Sequence, residues 1–157
     1  MLKTQTSLLG IVFVAVFVEI VLMPGLWNPL RLDLLLGMVI GVIIHLGFSQ
    51  GLFFVLVSSL FLQAFSGARP GLIPLFYLFA FIVVDILKDV IYLENVTTQI
   101  MLAAILSALA TCGLVLFLDI KPTPLEIFPL VAGCVFSGCA SPLMVALVGR
   151  VKRGYEA

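Results

Sequence analysis

The sequence is poor in charge. It holds eight basic and eight acidic residues among 157, balanced to zero, and a single histidine. A chain without a net field has no electrostatic hold on nucleic acid or on an acidic soluble substrate. One histidine cannot build a His-rich metal site, and the HExxH, GxSxG and P-loop patterns are all missing. Cys112, Cys134 and Cys139 lie inside apolar segments without CxxC spacing, so they read as small packing residues and not as a redox pair or metal site. Asp85 and Asp89 offer two carboxylates for acid and base chemistry, but no second cluster completes a catalytic arrangement. These absences predict a protein that is not an enzyme and carries no metal or cofactor.

What is present is hydrophobic: 63% of the residues, far above the usage of a soluble domain. A spanning helix needs about 20 mainly apolar residues, and six runs approach that length, at 6–23, 32–48, 51–65, 72–92, 97–118 and 127–148. Together they make 1–157 a single all-α integral membrane domain of six transmembrane helices, joined by short turns. No soluble domain remains to hold a conventional active site.

The first run follows Lys3, as a secretory signal would, but no small-x-small cleavage pattern comes after it, so it is expected to be a retained anchor. Glu19 sits near its far end. A carboxylate inside a membrane costs roughly 2.5–3.5 kcal/mol to hold there, which makes it a functional candidate; an interfacial glutamate that pairs with Arg31, or is protonated, is the simpler reading. Pro24, Gly25, Asn28 and Pro29 then break the pattern, and Trp27 stands where an aromatic-belt residue would. Asp33 opens the second helix, where the helix dipole favours a carboxylate. Gly37, Gly41 and His45 recur at i, i+4 and i+8. Small-xxx-small spacing lets two backbones approach closely, and His45 extends that face as a hydrogen-bonding interhelix contact.

The stretch from Gln50 to Gly71 reads as a helix with a polar seam. Ser59, Gln63 and Ser66 share one face, which calls for a protein partner and not lipid. A turn containing Gly67, Arg69 and Pro70 ends it, and a turn at Gly47 to Gln50 holds it tightly antiparallel to the second helix. In the fourth run Pro74 falls in the first turn. Asp85, Lys88 and Asp89 follow on one face, so that Lys88 can bridge both carboxylates, either as a neutralised anchor at the cytoplasmic interface or as a point of partner docking or transport. The fifth run offers two packing faces, Ala104, Ala108 and Cys112 beside Ala103, Ser107 and Thr111. The sixth, after a polar connection from Asp119 to Phe128, carries Gly133, Ser137 and Ser141 on one side and Pro142 as an expected kink. Lys3, Arg150, Lys152 and Arg153 lie at the two ends, against Arg31, Arg69 and Lys121 opposite, which places both termini in the cytoplasm.

One resemblance gives these features a context. The order Leu30-Arg31-Leu32-Asp33-Leu34-Leu35-Leu36, then Gly47-Phe48 and Gly51, then Leu62-Gln63-Ala64-Phe65-Ser66-Gly67 and Pro70-Gly71-Leu72 resembles the MreD family of bacterial rod-shape-determining membrane proteins. The sequence departs from that pattern at Gln63, where such proteins often carry an acidic residue. The resemblance implies a compact six-helix bundle similar to the substrate-binding subunits of energy-coupling-factor vitamin transporters. It also implies a non-catalytic role in the inner membrane: binding a single-span MreC-like protein and helping to position peptidoglycan synthases of the elongation complex along an actin-like cytoskeleton, which it would touch only indirectly. The transporter likeness supplies a rival, a subunit that buries a small molecule near Glu19, Gln63 and Arg69. One tryptophan and three tyrosines are a poor endowment for such a pocket.

Overall fold

Every residue from Leu34 to Ile43 is buried, and the other helices are arranged around this segment. The computed structural model describes residues 2–19, 33–66, 70–117 and 124–156, which form six helices and no strand. They are α1 (Leu2–Phe17), α2 (Leu34–His45), α3 (Phe48–Ser66), α4 (Leu72–Leu87), α5 (Val96–Phe117) and α6 (Pro124–Glu156). The central helix, α2, packs against all five of the others, most extensively against α6. It is also the shortest, with 12 residues, or about 18 Å at 1.5 Å per residue. A helix that is apolar on every side belongs in the middle of its neighbours.

Three helices contain stretches long and apolar enough to cross a membrane: Phe48–Phe65, Val96–Gly113 and Ile127–Gly154. Leu34–His45 and Leu72–Leu87 are apolar but shorter. The surface is the inverse of a soluble protein's. Phe13, Phe53, Leu75, Ile86, Met101, Leu116 and Phe128 are exposed, while Ser58, Ser59, Gln99, Ser107, Ser137 and Ser141 are buried. Lipid is as apolar as leucine, so helices in it are held by close packing and internal hydrogen bonds, and small hydroxyl residues gather inside.

Several boundaries differ from expectation. The fourth run, expected to be helical to residue 92, ends as α4 at Leu87, and 88–95 is turn. α3 begins at Phe48, so the link from α2 is only Leu46 and Gly47. α6 continues without a break through Pro129 and Pro142 to Glu156, which makes the basic C-terminal residues part of a helix. Proline at 142 has no N–H for the carbonyl of Gly138; the Ser141 hydroxyl donates to that oxygen instead, at 2.8 Å. The breaker is thus repaired by the residue beside it. Cys112 and Cys139 are exposed, so the packing role expected for all three cysteines fits only Cys134, whose Sγ lies 3.9 Å from the Thr111 hydroxyl. Trp27, Arg31, Arg69 and Lys121 lie outside the described residues.

Candidate functional site

Asp33 is the residue on which three helices converge. Its carboxylate caps α2 by accepting from the Leu36 N–H at 3.1 Å, and the same oxygen, Oδ1, accepts from the Tyr77 hydroxyl of α4 at 2.6 Å. Its own N–H donates to Ser137 Oγ of α6 at 2.8 Å, and that hydroxyl in turn donates to Gly133 O. The start of α2 is thereby satisfied by protein groups, as it must be when a helix end lies inside a bundle away from water. Glu19 follows α1 in a π-helical turn, with Oε2 buried. One carboxylate, one phenol and one serine therefore meet at the start of α2.

The glycine face of α2 runs from this hub to the opposite end. A Cβ on Gly37 would lie 2.9 Å from Ser141 Cα, and one on Gly41 would lie 3.0 Å from Val145 Cα. At His45 the pattern reverses: the imidazole covers Gly149, whose added Cβ would meet Nε2 at 2.8 Å. Residues 37, 41 and 45 thus face 141, 145 and 149, and the two helices run parallel with the small residue changing sides along the seam.

The α3 residues serve within the chain. Ser59 is buried with its hydroxyl donating to Leu56 O at 3.0 Å. Gln63 Oε1 accepts from Ile73 N at 3.2 Å. This is a helix cap supplied from a distance, because the residue before α4 is Gly71, in the left-handed region at φ 87° and without a side chain to do the capping. Ser66 is the last residue of α3.

Asp85, Lys88 and Asp89 stand at the His45 end. Lys88 Nζ donates to Asp85 Oδ1 at 2.6 Å, a bond that raises the lysine above its ordinary value. Lys88 and Asp89 lie just past the end of α4, in the turn that follows it. Beyond Asp89, Tyr92 donates to Glu94 at 2.9 Å, which raises the phenol. Asp33 as a cap and Ser137 and Ser141 as one face follow from the sequence, whereas Tyr77 does not. A lone hydroxyl inside an otherwise apolar segment was the available signal.

The arrangement joins helices; among the described residues no group of three or more histidine, cysteine, aspartate or glutamate side chains could hold a metal. Comparison with family models, with characterised proteins and with solved structures finds no match.

Proposed function

We propose that this chain is a non-catalytic membrane subunit of the bacterial cell-elongation machinery. In this reading it crosses the inner membrane six times with both termini in the cytoplasm, binds a single-span MreC-like protein by helix–helix contact, and helps position peptidoglycan synthases. The observation that carries the reading is the use made of the residues in the family-like pattern. Asp33 ties α2 to α4 and α6. Gly51 leaves room for the Phe81 ring, which an added Cβ would meet at 2.9 Å. Gln63 caps α4, and Gly71 supplies the left-handed turn before it. A pattern spent on closing a bundle suits a scaffold whose outer faces engage other helices.

The small-molecule transporter reading needs interior space. The α2–α6 seam is closed at backbone contact distance, which favours the scaffold. Co-expression with an MreC-like protein and purification from detergent should retain the two together. Loss of that partner, combined with tight binding of a vitamin by the purified chain, would replace the scaffold by the transporter.

A further inference from the structure

At the His45 end, the turn that follows α4 leaves an open cleft of about 470 Å³ against Ile43 and Ile44. Its deeper lining is apolar, since Ile43 and Leu93 are buried. Two apolar side chains of the rim are uncovered: Val90 is 81% exposed and Tyr92 73%. Carboxylates flank these side chains. Asp89 and Glu94 both line the cleft, whereas Lys88, the one cation among the described lining residues, already pairs with Asp85.

An exposed apolar patch with a charged border marks an interaction surface. The sign of the border selects the occupant. Carboxylates repel the anionic headgroups of a cytoplasmic leaflet, and an open cleft does not enclose a small molecule as a ligand pocket does. We propose that this cleft docks a short segment of a partner protein in which lysine or arginine alternates with aliphatic residues. The aliphatic side chains would cover Val90 and Tyr92, and the cations would meet Asp89 and Glu94.

The test uses the full chain in nanodiscs of zwitterionic lipid and a labelled peptide of alternating lysine and leucine, with empty nanodiscs as the blank. A matched peptide of alternating glutamate and leucine is the control. The lysine peptide should bind, less tightly as salt is added, and the glutamate peptide should not. Asp89→Lys combined with Glu94→Lys should weaken lysine-peptide binding at least about tenfold. Both substitutions lie on exposed turn positions, and an unchanged melting temperature would show that the variant is folded. A Val90→Ser variant should weaken binding without changing its salt dependence. Equal binding of the two peptides, binding of neither, or full affinity in the charge-reversed protein would each overturn the assignment.

Discussion

Replacing Asp33 by alanine removes, in one step, the acceptor of the Leu36 N–H and that of the Tyr77 hydroxyl. A lost cap and an orphaned buried phenol together cost about 2–4 kcal/mol. Tyr77→Phe leaves the cap in place and is expected to cost about 1–2 kcal/mol. Denaturant unfolding in detergent checks the order, and an Asp33→Ala protein as stable as the parent would contradict the hub. Part of this was legible beforehand: an aspartate just before an apolar run is a cap by its chemistry. Its long-range bonds were not, because Tyr77 and Ser137 stand 44 and 104 residues away and no periodicity links them.

Among the helices, the glycines divide by what surrounds them. Gly37→Ala and Gly138→Ala would press a methyl against Ser141 Cα and the Ile100 carbonyl, which are backbone and cannot swing aside. Each should cost about 1–3 kcal/mol. Gly149→Ala meets only the movable imidazole of His45 and should cost less. Gly10→Ala and Gly113→Ala meet nothing within 4 Å and should be neutral or stabilising, by up to about 1 kcal/mol, since alanine is the better helix former. Melting temperatures of the five variants would reveal the division; a uniform response would mean that the seam does not depend on close approach. The four-residue spacing on α2 was visible in the sequence, but its partner was not. Small residues at the same interval occur on α5 and α6 alike, and the choice of α6 follows from matching Ser141, Val145 and Gly149 to residues 37, 41 and 45. The polar face of α3 looked the stronger candidate for a contact surface. On that face Ser59 bonds to its own helix, and Gln63 bonds to the next one.

For the molecule as a whole, the proposed six-span topology brings both ends to one side, and Arg150, Lys152 and Arg153 assign that side to the cytoplasm. A fluorescent protein fused after Ala157 should therefore fluoresce, and a phosphatase active only outside the cytoplasm should stay silent there; the opposite result would invert the topology. The helical class could be read from hydrophobic runs alone. The centre could not, because burial inside protein and burial in lipid select the same apolar residues. That centre also sets a timetable for synthesis. Asp33 is synthesised 104 residues before Ser137, an interval of about 5–20 s at ribosomal rates of roughly 5–20 residues per second. For those seconds α2 is a short helix without its main neighbour, and any chain cut off before α6 is complete leaves it so, exposed to whatever insertion factors or proteases patrol the bilayer.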